Sequence, residues 1–225
     1  REGIETLRAG WKPDPIASET IPLQEILELH SLYPKRSIRI MNLSTKDAVT
    51  KLKKSESKII SSVCWWHLIN DRTMLNSSEI FWRVSPSIGG VKDRESLIHG
   101  VKERTISSIA VNAIPLDEEE LQLPIDQRKA GISGHQLVLP SLWQELIVKN
   151  GFSIEELWSA LSFNPSEMIK SPQENLKAGS RRWLLFDPSH SWVQTRYEVN
   201  SPRSANQPWE EQKILGKVIK CGLKA

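Results

Sequence analysis

From Thr20 onward the apolar positions switch between a helical period and short continuous or β-branched runs, an alternation that predicts βα units around a parallel sheet. Leu23, Ile26, Leu27 and the stem around His30 mark the buried face of a helix. Thr20 would cap this helix, with Pro22 in its first turn and its end before Pro34. Residues 38–43 form a β-branched run, and Ser44 with Asp47 three residues later predicts a cap for a helix that turns Ala48, Val49 and Leu52 inward. Residues 59–64 read as a second buried strand, and residues 93–104 as a helix with Leu97, Ile98 and Val101 inside. Residues 106–114 are almost continuously apolar, as expected of a third strand covered on both faces. Leu139, Leu142, Trp143, Leu146 and Ile147 recur at helical spacing until Gly151. Ser153 and Glu156 then supply a capping box for a helix burying Leu157, Trp158 and Leu161. After Pro172 the texture changes to three short strands, 183–186, 192–197 and 214–219, separated by Pro, Gly, Ser and Asn turns. The pattern therefore predicts an α/β region over residues 1–171 and a small β-rich segment over 172–225, without internal repeats.

Composition narrows the function classes. A hydrophobic fraction of 39% over 225 residues supports a sizeable core. The chain opens on Arg1 rather than Met, with Gly3, Gly10, Pro13 and Pro15 near its start, which reads as a point inside a longer product. A formal charge of +3 is too small to argue for a polyanionic partner. The clusters Lys35-Arg36, Lys51-Lys53-Lys54 and Arg181-Arg182 are short and interrupted, so solvated faces are expected and nucleic acid is not. Nine tryptophans could stack on bases, but Trp143, Trp158 and Trp192 sit in apolar periodic segments and read as core. Cys64 and Cys221 are too far apart for a zinc-knuckle spacing and too few for a disulfide framework, which favours a reducing compartment. No apolar run approaches the ~20 residues of a membrane span, and no leader precedes Arg1. A cytoplasmic protein is expected.

Several short motifs recur in a fixed order. Asn42-Leu43-Ser44-Thr45 resembles His-Val-Ser-Thr, and Val63-Cys64-Trp65-Trp66-His67-Leu68 resembles Val-Thr-Pro-His-His-Leu. Phe81 to Pro86 followed by Asp93-Arg94-Glu95 is similar to Phe-Lys-Val-Asn-Pro-Pro and the Asp-Arg-Glu helix start after it. Ile109 to Pro115 is similar to Ile-Ala-Thr-Asp-His-Ala-Pro, Gly131-Ile132-Ser133-Gly134 to Gly-Ile-Val-Gly, and Asn164-Pro165 to an Asn-Pro-Ala turn. Gly179 with Leu184-Leu185-Phe186-Asp187-Pro188, then Asn206-Gln207-Pro208 with Gly216 and Gly222, carries the likeness to the end. Read in this order, the chain resembles the C-terminal portion of dihydroorotases, zinc-dependent amidohydrolases that close carbamoyl aspartate to dihydroorotate in pyrimidine synthesis. The implied fold is the later βα units of an amidohydrolase β/α barrel, of the TIM type, plus part of a composite β-domain.

The resemblance implies a site at the C-terminal ends of the barrel strands. There Asn42 stands at the position of a metal-binding histidine, and Asn112 at that of the aspartate that binds metal and shuttles the proton. Ser85 replaces an asparagine, Ala113 a histidine, and Leu116 a substrate-contacting histidine. Ala130-Gly131 keeps the backbone of the substrate loop. A carboxamide oxygen is a weak, neutral donor to zinc, and an amide has no pKa accessible to a general base. The implied protein is a catalytically inactive scaffold or assembly subunit without a cofactor, oligomeric, with aspartate carbamoyltransferase as partner. The alternative is an active zinc-dependent dihydroorotase or other cyclic amidohydrolase using ligands from an upstream half. A third reading is a sensing pocket lined by Trp65, Trp66 and Leu116 for a small apolar or aromatic molecule.

Blander explanations cover the remaining candidates. His67 beside two tryptophans reads as packed, His135 as a surface loop residue, and His30, His99 and His190 as residues of helices or a turn. The acidic run from Asp117 to Glu120 reads as a solvated loop.

Overall fold

Three short strands pair side by side as a parallel sheet in the order β1-β2-β3: β1 (Arg39–Leu43), and β2 (Ile60–Cys64) and β3 (Ser108–Ala110), which are runs of β-branched and small residues. Arg39 lies opposite Ile60, Leu43 opposite Val63, and Cys64 opposite Ala110. The computed structural model describes residues 1–8, 11–55, 59–75, 82–124, 127–172, 177–180, 182–197 and 201–223. Gly10, Phe81 and Arg181, which the sequence reading used, lie outside the described residues. β3 is shorter than the run 106–114 predicts. Past Ala110 the chain leaves the sheet, Asn112 takes φ +44°, and the Ile114 N–H bonds to the Ile132 carbonyl instead of to a strand.

The helices are α1 (Ile4–Arg8), α2 (Ala17–Leu32), α3 (Lys46–Lys54), α4 (Trp65–Ile69), α5 (Val91–Lys102), α6 (Glu118–Gln122), α7 (His135–Leu142), α8 (Ile154–Trp158) and α9 (Asn164–Met168). π-helical stretches follow α7 (Trp143–Lys149) and α8 (Ser159–Phe163). Three caps depart from expectation. α2 begins before Thr20, since Pro15 and Ile16 already fold the first turn; the Thr20 hydroxyl donates to the Ile16 carbonyl, and Pro22 lies inside the helix. α3 is capped by Thr45, whose hydroxyl accepts from the Ala48 N–H at 3.1 Å, because Ser44 is held by Glu19 and Arg1. The acids at 117–120 are not a loop: Asp117 and Glu120 form the capping box that starts α6. The Ser153–Glu156 box and the Gly151 stop, at φ +63°, stand as the sequence predicts.

Beyond the helices, the three predicted short strands are two long ones, β4 (Arg182–Val193) and β5 (Lys213–Leu223), paired antiparallel. A register shift between Asp187 and Ser191 absorbs Pro188 as a bulge, so the turn signal does not break the strand, and His190 lies in β4. Residues 194–197 have already left the sheet. Phe186 packs on Trp143 with ring centres 5.1 Å apart, seating this sheet on the end of α7.

One core joins these elements. Leu43, Val63, Cys64, Trp66, Leu97 and Leu142 are among its fully enclosed members, and Trp143, Trp158 and Trp192 pack against it, as their spacing predicts. Full burial of such side chains is worth roughly 1.5–3 kcal/mol each. Asp93 ties two helix starts to it, one carboxylate oxygen accepting from Gly90 N–H and the other from Lys46 N–H. Among the described residues no helix is long and apolar enough to cross a membrane.

His67 is one of the enclosed members, its Nε2 3.0 Å from the Pro86 carbonyl. Burial lowers its pKa from 6.5 to about 4, with the hydrogen bonds to Pro86 and Ser87 opposing only in part. The unfolded chain therefore takes up this proton first. Its contribution is complete above about pH 6.5 and is lost as pH falls toward 4, a decline of about 3 kcal/mol. Urea unfolding at stepped pH should show that decline, and His67→Asn should flatten it.

Candidate functional site

At the C-terminal ends of β1, β2 and β3 stand Asn42, Cys64 and Asn112, and the three side chains close into a triangle. The Asn112 Nδ2 donates to Asn42 Oδ1 at 2.8 Å and to Cys64 Sγ at 3.0 Å, while the Cys64 thiol donates to Asn42 Oδ1 at 3.2 Å. Both asparagines have left-handed backbones, φ +62° at Asn42 and +44° at Asn112, a conformation asparagine tolerates better than most residues. The kinks aim the ends of two strands at a common point.

A cavity of about 330 Å³ opens over this triangle. Asn42, Asn112, Ser85 and Trp66 form one part of its wall, and Ala113, Ile114, Ala130 and Gly131 the other. The fold thus gathers Asn42, Asn112, Ser85, Ala130 and Gly131 from four separate stretches of sequence. Leu116 does not join them. It is buried, its N–H donating to Asn206 Oδ1 at 2.9 Å and its carbonyl accepting from Ala205 N–H at 2.7 Å. Trp65 is likewise absent from the lining, being packed edge-on against Trp66 and Trp209, so of the three residues expected to form an apolar pocket only Trp66 does.

The sequence does not announce the site roles of two contributors, Cys64 and Asn206. Cys64 forms the floor of the triangle. Trp66, expected in the pocket, stands where the resembled motif has its first histidine. Asn206 is the second. Its Nδ2 donates to the carbonyls of Ile114 at 2.7 Å and Gly131 at 3.1 Å, both of which line the cavity, so one buried carboxamide staples together the two adjacent stretches that form this part of the wall.

The electrostatics of the floor are neutral. Burial pushes the Cys64 thiol up to about 12, the hydrogen bond from Asn112 offsetting this only in part. Zinc takes thiolate, imidazole or carboxylate, so two carboxamides and a thiol held in its protonated form do not fit it. Among the described residues no three His, Cys, Asp or Glu side chains gather as a metal set. What the triangle leaves free is a donor, Asn42 Nδ2, and an acceptor, Asn112 Oδ1, neither bonded among the described residues. A thiol reagent should accordingly modify exposed Cys221 quickly and Cys64 only on unfolding; two fast thiols in the native protein would contradict this burial.

No family model matches the chain. A dihydroorotase-like protein of Synechocystis sp. is 31% identical over 229 residues, covering 97% of this chain and 51% of its own length. The dihydroorotase of Anaplasma phagocytophilum is 29% identical over 224 residues, covering 97% and 49%. The chain thus spans about half the length of the curated relatives it matches. Among solved structures, a D-hydantoinase from Bacillus sp. AR9 superposes with TM-score 0.78 at 15% identity, over 97% of this chain and 52% of its own. The inactive dihydroorotase-like domain of a CAD-like multifunctional protein from Chaetomium thermophilum gives 0.62 at 19%, over 90% and 53%. A parallel sheet with its cavity at the strand ends, a small antiparallel sheet beyond it, and relatives that match 97% of this chain identify it as a homologue of the C-terminal portion of dihydroorotases, in the amidohydrolase superfamily.

Proposed function

We propose that this dihydroorotase-like chain is non-catalytic and serves pyrimidine biosynthesis as an assembly element, with aspartate carbamoyltransferase as its partner in a cytoplasmic oligomer. The observation that carries this reading is the closed Asn42–Cys64–Asn112 triangle. In this reading Asn42 and Asn112 occupy the metal-ligand positions, Asn112 also that of the proton shuttle, and Ser85, Ala130 and Gly131 the substrate-binding positions, while Leu116, at the fourth such position of the resemblance, is buried away from the cavity. A carboxamide at the shuttle position has no proton to exchange near neutral pH. No zinc is then held. The solved neighbour described as an inactive dihydroorotase-like domain within a multifunctional protein is a precedent for such a role. Residues 1–171 would supply barrel units and residues 172–225 a segment of the β-domain.

A second reading keeps a ligand without turnover. Asn42 Nδ2 and Asn112 Oδ1 offer a neighbouring donor and acceptor, which complement the –CO–NH– edge of a cyclic amide.

Zinc content and turnover of carbamoyl aspartate by the purified protein separate these readings from the hydrolase. Less than about 0.1 equivalent of zinc per chain, with nothing gained on adding the metal, is the expected result. Near-stoichiometric zinc with turnover would establish a working dihydroorotase fed by ligands outside this chain. Failure to co-purify with the transferase at micromolar concentration would remove the partner.

A further inference from the structure

A second cleft, of about 400 Å³, lies between the π-helical stretch after α7 and the start of β5, and it shares no lining residue with the cavity at the strand ends. Its size falls within the range of small-molecule sites. The walls are the Trp209 ring, Pro140, Ile214 and Leu215. Trp209 is fixed before any ligand arrives, because Trp82 and Trp65 meet it edge-on with ring centres 5.4 and 6.3 Å away.

Two polar features point to an occupant. Asn70 lines the cleft and is 8% exposed, and its Nδ2, withdrawn from solvent, has no hydrogen-bond partner among the described residues, a state that costs stability until an acceptor is supplied. Charge supplies the other. The Glu145 carboxylate in the cleft is already engaged, one oxygen by Arg94 at 2.6 Å and the other by Lys149 at 2.8 Å. Lys213, exposed at the rim, has no acidic partner among the described residues. The cleft therefore has a surplus positive charge beside a planar apolar wall.

We propose that this cleft binds a small planar ring carrying one anionic group. The ring lies against Trp209 and Pro140, its acid meets Lys213, and a carbonyl or acid oxygen accepts from the Asn70 Nδ2 once that carboxamide turns toward the cleft. The proposal is independent of what the strand-end cavity does.

Benzoate and its neutral counterpart benzamide are suitable probes, followed by the ¹H–¹⁵N signals of the full chain, including the Trp209 indole and Asn70 carboxamide. Benzoate should shift both signals saturably, with a dissociation constant on the order of 0.1–1 mM, and benzamide should bind at least about tenfold more weakly. Lys213→Glu, an exposed change that leaves the melting temperature in place, should weaken benzoate by at least about tenfold, and Lys213→Arg should retain it. No saturable shift up to about 10 mM overturns the proposal. Shifts that survive Lys213→Glu, or that fall on Asn42 and Asn112 instead, overturn it equally.

Discussion

Arg94→Met is expected to lower the folding stability by about 3–5 kcal/mol, among the largest losses any single change outside the apolar core could cause here. Arg94 on α5 reaches two carboxylates that are almost wholly withdrawn from water. Its Nε is 3.0 Å from Asp71, just beyond α4, and its Nη1 is 2.6 Å from Glu145, in the π-helical stretch after α7. Methionine keeps much of the packing but, among the described residues, leaves the Asp71 carboxylate with only Thr73 to bond it, and that of Glu145 with only Lys149 and a 3.4 Å contact from Asn150. An uncompensated buried charge is far costlier than the net value of the pair it belonged to. Urea denaturation at neutral pH measures the loss, and Glu145→Gln in the Arg94→Met background should recover part of it. A loss under about 1 kcal/mol would mean that water reaches both carboxylates and that the three helices are not pinned here.

The second large effect concerns the walls of the strand-end cavity. Asn206→Leu should cost about 4 kcal/mol, because it strands the Leu116 N–H and the carbonyls of Ile114 and Gly131, each buried polar group carrying roughly 1–3 kcal/mol when unpaired. The loss has a spatial signature. Hydrogen exchange at Leu116 and Ser133, whose N–H donates to the Asn206 carbonyl at 3.3 Å, should accelerate, while exchange in β1 and β2 keeps its native protection. Uniform acceleration across the sheet would instead make Asn206 an ordinary stability residue with no special hold on the cavity.

The β1 and β2 strands, the inward faces of α3 and α5 and the Ser153 cap were legible because each is decided by neighbours within a few residues. β3 was overextended because apolar character continues through Val111 and Ile114 after the backbone has turned away, and hydrophobicity does not report φ. The sequence predicts shorter strands than β4 and β5 because Asp187-Pro188 is a turn signal locally, whereas in the ribbon it is taken up by a bulge. In the site, Asn42, Ser85, Asn112 and Gly131 were placed together by motif order, and the cavity does contain all four. The stapling role of Asn206 is hidden for a different reason. Its partners lie 75 to 92 residues away in sequence, and nothing near it in the chain announces a staple.

The left-handed backbone at the two strand ends carries a consequence for how such a chain could arise. Histidine, aspartate and asparagine are the side-chain types that enter that region most readily, and the first two are what the resemblance puts at positions 42 and 112. Exchanging a ligand for an amide therefore asks nothing new of the main chain, so chemistry can be switched off there by point changes while the scaffold around it is inherited unaltered.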